Sequence, residues 1–162
     1  MTEKPLRQRH VRSWETMKYA YSFKTLRVRE KDFPYHGQSI TRTSELVEFA
    51  RSLQDADIEK FLVLYLDAQN HVIGIRVWEG TVNQCVVYPR EVFRHALIAG
   101  ACAVILIHNH PSGETKPSDS DVRLIRTIAD AGKVFDIMIH DHTIIAGDRF
   151  FSFREEGIMP GC

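Results

Sequence analysis

Read for the spacing of apolar and polar residues, the chain divides into a polar lead-in and a body in which helix and strand patterns alternate. Through about Gly37 aromatics (Trp14, Tyr19, Tyr21, Phe23) mix with basic side chains, and the alternation at Leu26 and Val28 predicts at most one short strand. Helical character starts near Ser44, a residue type suited to a helix N-cap, puts Leu46, Phe49, Ala50 and Leu53 on one face, and stops near Asp55 to Asp57. Phe61 to Leu66 is an apolar run of strand length, and the polar turn Asp67 to His71 followed by the run Val72 to Trp78 makes a hairpin. A third strand is expected around Gln84 to Tyr88. It runs into Pro89, whose missing N–H suits the first position of a helix carrying Val92, Phe93, Ala96 and Leu97 as its apolar stripe.

Ala103 to Ile107 is unbroken apolar sequence, the signature of a strand covered on both faces. After His108, Asn109 and His110 come a loop over 111–117 and a helix from Ser118 to Ala131, closed by Gly132. Strands follow at about Phe135 to Ile139 and Thr143 to Ala146, and a last one at Phe150 to Phe153. Helices alternating with strands, and hairpin-like neighbours at both ends, predict an α/β domain on a mixed, largely antiparallel sheet flanked by helices.

Composition narrows the class. At 162 residues, 44% hydrophobic and 26% charged, the chain is a single-domain globule that needs no disulfide staple, and collagen-like or wholly disordered readings are excluded. The longest apolar stretch, Ala96 to Ile107, falls short of the roughly 20 residues of a membrane span, so no membrane contact is expected. Without an apolar export signal at Met1 to Pro5, and with three scattered cysteines (Cys85, Cys102, Cys162), a reducing, cytoplasmic setting is expected. Net charge is zero but unevenly spread: residues 1–31 hold nine Lys/Arg against three Glu, leaving the remainder acidic. The division expected is a basic arm, 1–39, ahead of a domain, 40–162. A solvated extension explains the arm; a nucleic-acid contact through 1–31 is the alternative.

The candidate chemistry lies at the end of the buried strand. Residues two apart on a strand face the same way, so His108 and His110 can offer two imidazoles to one ion. Asp121 falls in the first turn of the next helix and can complete the set, leaving a fourth tetrahedral position open, as catalytic zinc requires. Ser118 and Asp121 also fit a capping box, and capping and coordination need not exclude each other. His140 and His142, around Asp141, form a competing pair read as structural or as support for the ligands. His10, His36, His71 and His95 have no partner close in sequence.

The segment His108-Asn109-His110-Pro111-Ser112-Gly113, continuing to Pro117, Ser118 and Asp121, resembles the JAMM motif of MPN/JAB metalloproteases, most closely their RadC-like branch. Gly80-Thr81, Tyr88-Pro89-Arg90-Glu91 and Asp141-His142 with Ile144 extend the resemblance over roughly residues 40 to 157. It implies an MPN/JAB-like (cytidine-deaminase-like) fold and a Zn2+ hydrolase. His108, His110 and Asp121 would hold the metal, and an upstream glutamate, carried to Glu59 with Glu91 as fallback, would move the proton. Ser118 would hydrogen-bond the developing oxyanion, and Asn109 would point to the other side of the strand and orient the loop. The substrate implied is a protein or peptide; the alternative is a DNA-associated RadC-type protein, a metal-dependent nuclease or repair accessory. Two departures stand out: the short basic arm replaces the helix-hairpin-helix region usual in RadC-like proteins, and Gly100 stands where Asn is common.

Overall fold

A computed structural model describes residues 39–40, 42–50, 53–54, 56–81 and 85–160, so the basic arm lies almost wholly outside the described residues. The elements in chain order are α1 (Thr43–Phe49), β1 (Lys60–Leu66), β2 (Val72–Glu79), α2 (Pro89–Ala99), β3 (Ala103–Asn109), α3 (Asp119–Phe135), β4 (Met138–Ala146) and β5 (Arg149–Ser152). The strands form one sheet in the order β2-β1-β3-β4-β5. Three pairings are antiparallel and β3–β4 is parallel, giving the mixed, largely antiparallel α/β architecture that the pattern predicts.

Period-two alternation sends the side chains of β1 and β3 into two cores. Phe61, Val63, Tyr65, Val104 and Leu106 pack with Val92, Phe93 and Ala96 of α2 and Ile125 and Ile128 of α3. Leu62, Leu64, Leu66, Ile105 and Ile107 pack on the opposite face with Leu46, Ala50 and Leu53. All of β3 is buried, including its polar end, which is why its run of apolar residues shows no alternation.

Several boundaries differ from expectation. The first helix begins before Ser44, where Glu45 accepts a hydrogen bond from the Arg42 N–H (3.2 Å), and its regular turns stop at Phe49. Cys85 to Tyr88 joins no strand of the sheet, although Val87 is buried while Val86 and Tyr88 are 54% and 55% exposed. The Tyr88 carbonyl is taken instead by the first turn of α2, accepting from the Glu91 N–H (2.9 Å). Leu97 is exposed, while Ala96 beside it carries the buried face of the last turn of α2.

Gly132 does not end its helix. It lies inside α3, where a Cβ would sit 2.6 Å from the Ile137 carbonyl oxygen, and the helix closes at Asp136 in the left-handed conformation (φ 56°). The two strands expected at 135–139 and 143–146 are a single β4, since the polar His140-Asp141-His142 stretch does not interrupt pairing. His140 is the extra residue of a bulge between Ile139 and Asp141. The Asp141 carboxylate accepts from the N–H groups of His142 (2.7 Å) and Arg154 (3.0 Å) and from the hydroxyls of Ser152 (2.6 Å) and Thr143 (3.2 Å). With its lone pairs satisfied by protein donors, it is tolerated at 3% exposure. No helix among the described residues is long and apolar enough to cross a membrane.

Candidate metal centre

The end of β3 brings His108 and His110 to one side of the sheet, as strand geometry requires, with their Nε2 atoms 2.8 Å apart. Helix α3 delivers Asp121 from its first turn: Oδ1 lies 3.4 Å from His108 Nε2 and Oδ2 3.5 Å from His110 Nε2. Glu59, just before β1, completes the group, and one ligand atom from each of the four residues lies within 4.8 Å of the others. Glu91 sits elsewhere, in the first turn of α2, paired with Arg94 (2.7 Å).

These separations fit a metal ion. Tetrahedral zinc with ligands at about 2.0–2.1 Å holds its donor atoms about 3.3 Å apart. The observed 2.8 to 3.5 Å needs only a slight parting of the two imidazoles. The donor set, two neutral imidazoles and a carboxylate, suits a borderline divalent cation. His110 is oriented from behind, its Nδ1–H donating to the Glu114 carbonyl (2.7 Å), which leaves the Nε2 lone pair facing the cluster. The loop carrying Glu114 is tied to β5 by Arg149, which donates to the Gly113 carbonyl (2.5 Å).

Ser118 caps α3 and its side chain is fully engaged. Its hydroxyl donates to Asp121 Oδ2 (2.6 Å) and accepts from the Asp121 N–H (3.2 Å), while its own N–H donates to Oδ2 (2.7 Å). The capping box therefore also fixes the carboxylate that faces the histidines.

The electrostatics follow from burial and proximity. Burial pushes His108 down to about 4, against the opposing pull of Asp121. His110 is raised by its hydrogen bond with Asp121. Burial alone would raise Asp121, but the two histidines and the Ser118 donors together hold it well below the usual carboxylate range. Glu59 is raised, chiefly by burial and further by the nearby Asp121, with His110 working in the opposite sense.

Asn109 points to the opposite face, but what it orients is the approach to β1. Its Oδ1 accepts from the Lys60 N–H (2.7 Å), and its Nδ2 donates to the carbonyls of Ile58 (3.0 Å) and Ala56 (3.4 Å). The peptide groups on both sides of Glu59 are thereby tied to the ligand strand. Nothing in the local sequence signals this contact, because it joins residues about fifty positions apart.

His140 and His142 do not converge on an ion, since the bulge separates their directions. His140 Nε2 bonds to Asn70 Oδ1 (2.7 Å), whereas His142 is fully buried beside His108. His71 pairs with Asp67 (3.3 Å), and His95 donates to the Glu91 carbonyl (2.7 Å); His10 and His36 lie outside the described residues.

The cluster opens into a cleft of about 460 Å³ lined by Glu59, Cys85, Val86, Val87, the start of the 111–117 loop and the first turn of α3. A mixed sheet whose innermost strand presents two imidazoles, met by carboxylates from its neighbours, defines an α/β domain of the JAB/MPN type. A family model described as RadC-like JAB domain matches residues 40–158, and the chain belongs to that family. It is similar to UPF0758 protein YkfG of Escherichia coli (strain K12), 40% identical over 138 residues, covering 84% of this chain and 87% of that protein. It is also 44% identical over 112 residues to a UPF0758 protein of Pelobacter propionicus (68% of this chain, 49% of the relative). To UPF0758 protein PBPRA0202 of Photobacterium profundum it is 48% identical over 106 residues (65% and 47%). The chain thus spans about half the length of the latter two relatives.

Proposed function

We propose that this protein is a zinc-dependent hydrolase of the metallopeptidase or isopeptidase type, acting on a protein or peptide. The observation that carries the reading is the convergence of Glu59, His108, His110 and Asp121 within 4.8 Å, with Glu59, His110 and Asp121 lining an open cleft. His108, His110 and Asp121 would hold the ion, which supplies a Lewis acid for the scissile carbonyl and brings the pKa of water toward neutrality. Glu59, its carboxyl raised by burial, takes a proton from the attacking water and returns it to the leaving amine. Ser118 holds Asp121 in place and, on rotating its hydroxyl from that carboxylate, reaches toward the oxyanion; the N-terminal end of α3 favours the same negative charge.

The cleft supports an amide substrate over a phosphodiester. None of its lining residues is Lys or Arg, whereas two of them, Glu59 and Asp121, are acidic, an unfavourable setting for a polyanion. Cys85, Val86 and Val87 line the cleft without joining a strand of the sheet, a wall along which an extended chain could lie. The second reading, a DNA-associated protein of the RadC type, rests on the nine basic residues within 1–31.

Elemental analysis of wild type and of His108→Ala, His110→Ala and Asp121→Ala tests the centre. One zinc per chain in wild type, lost in each variant, is expected, followed by cleavage of peptide or isopeptide substrates that Glu59→Ala abolishes. Zinc absent from wild type, or kept by the variants, overturns the reading. Steeply salt-dependent DNA binding that is lost with residues 1–31, without amide cleavage, favours the second.

A further inference from the structure

His142 is fully buried, yet neither of its ring nitrogens has a hydrogen-bond partner, and the same is true of His108 Nδ1. The two imidazoles are neighbours, their centroids 4.8 Å apart and their planes inclined by 31°. His142 otherwise touches aromatic rings: Phe61 stacks on it at 5.8 Å and Phe153 meets it edge-on at 4.9 Å. Such a slot suits an apolar side chain. Two unsatisfied nitrogens there oppose folding, so a polar ring in this position points to a partner of its own.

The histidine ligands differ in how they are held from behind. His110 has the Glu114 carbonyl on its Nδ1. An ion on His108 Nε2 would oblige Nδ1 to carry the ring proton, and that nitrogen is buried without a partner in a ring whose neighbour is His142. Histidines that bind metals regularly give that second N–H to an acceptor, and the acceptor fixes both tautomer and ring orientation. Resting on the zinc reading above, we propose that His142 is the positioning residue for His108. A small rotation of the two rings lets a His142 nitrogen accept the His108 Nδ1–H, locking His108 with its Nε2 lone pair toward the ion.

The test is zinc affinity, measured by competition with a chromogenic chelator, in wild type, His142→Phe and His142→Gln, alongside thermal melting of each metal-free protein. His142→Phe should melt at or above the wild-type midpoint and bind zinc ten- to a hundredfold more weakly, and His142→Gln, which keeps an acceptor, should recover part of the loss. If His142→Phe binds zinc within twofold of wild type, His142 is packing only and the proposal fails while the zinc centre stands. If wild type binds no zinc, both readings fall. Should the variants not fold, long-range nitrogen–proton NMR on the zinc-loaded wild type decides: a slowly exchanging His108 Nδ1–H with a hydrogen-bonded shift to His142 is expected, and a His108 proton on Nε2 or a rapidly exchanging Nδ1–H overturns the assignment.

Discussion

Asn109 grips the chain on both sides of Glu59. Its side chain accepts from the N–H of the residue after the glutamate (2.7 Å) and donates to the carbonyl of the residue before it (3.0 Å). The residue between the two clustered histidines thus sets the place of the acid, tying Glu59 to the end of β3. Asn109→Ala should keep one zinc per chain but lower amide hydrolysis by about tenfold or more. It should also destabilise the fold by about 1–3 kcal/mol through the backbone groups left unpaired. Metal analysis with urea melts and steady-state assays separates these effects; loss of zinc in this variant would contradict the arrangement.

Chelation should lower the melting temperature of the zinc-loaded protein, because an ion that binds only the folded chain stabilises it by mass action. Free zinc at a hundred times its dissociation constant adds about 2.7 kcal/mol. Calorimetry with and without zinc checks this, and Asp121→Ala should show no such shift.

The metal-free protein should lose stability on acidification. His108 ionises at about 4 in the fold against 6.5 when unperturbed, so between those values the unfolded chain takes up a proton that the fold refuses. Its contribution falls with pH by up to about 1.4 kcal/mol per unit. His142, also lowered by burial, acts in the same sense, while His110, raised by Asp121, offsets part of the slope. Below about 3.8 the lowered Asp121 adds a further loss, since a carboxylate favoured in the fold stabilises only while ionised. Urea midpoints at pH 7, 5.5 and 4 should decline in order; a flat profile would refute the environment assigned to His108.

Ser118→Ala removes both the helix cap and the hydroxyl that fixes Asp121. A loss of about 1 kcal/mol in stability is expected, with weaker zinc binding. Ser118→Asp, an equally good cap, should restore stability without restoring affinity, because it sets a second carboxylate against Asp121. Parallel melts and chelator competition measure both.

Gly132→Ala should destabilise by about 1–3 kcal/mol or more despite the better helix propensity of alanine. Its methyl would meet the Ile137 carbonyl oxygen at 2.6 Å. A thermal melt equal to wild type would show that the turn after α3 yields.

The parts of this molecule written in local sequence are those governed by local physics. The β1–β2 hairpin, the Pro89 helix start and the buried β3 follow from spacing, and His108 with His110 follows from strand alternation. The helix after Ala131 runs on because Gly132 serves the close approach of the chain at Ile137, five residues on, while Asp136 takes the left-handed closing position that the glycine was expected to fill. The strand over Met138–Ala146 stays whole because Ser152 and Arg154, brought back beside it by the β4–β5 hairpin, satisfy Asp141. Glu59 looks like an ordinary solvated acid until β1 is seen paired with β3, and family resemblance alone singled it out. Its tether to Asn109 is invisible without the sheet.

The two imidazoles ride on the innermost of five strands, whereas Asp121 belongs to the first turn of a helix reached through a surface loop. Helix ends open far more often than central strands. Exchange of a bound ion should therefore proceed by lifting of that turn, on a timescale set by local opening and not by global unfolding. A stripped preparation should reload on the order of seconds at neutral pH with its histidines already in place, so an ion held there would leave long before the sheet opens.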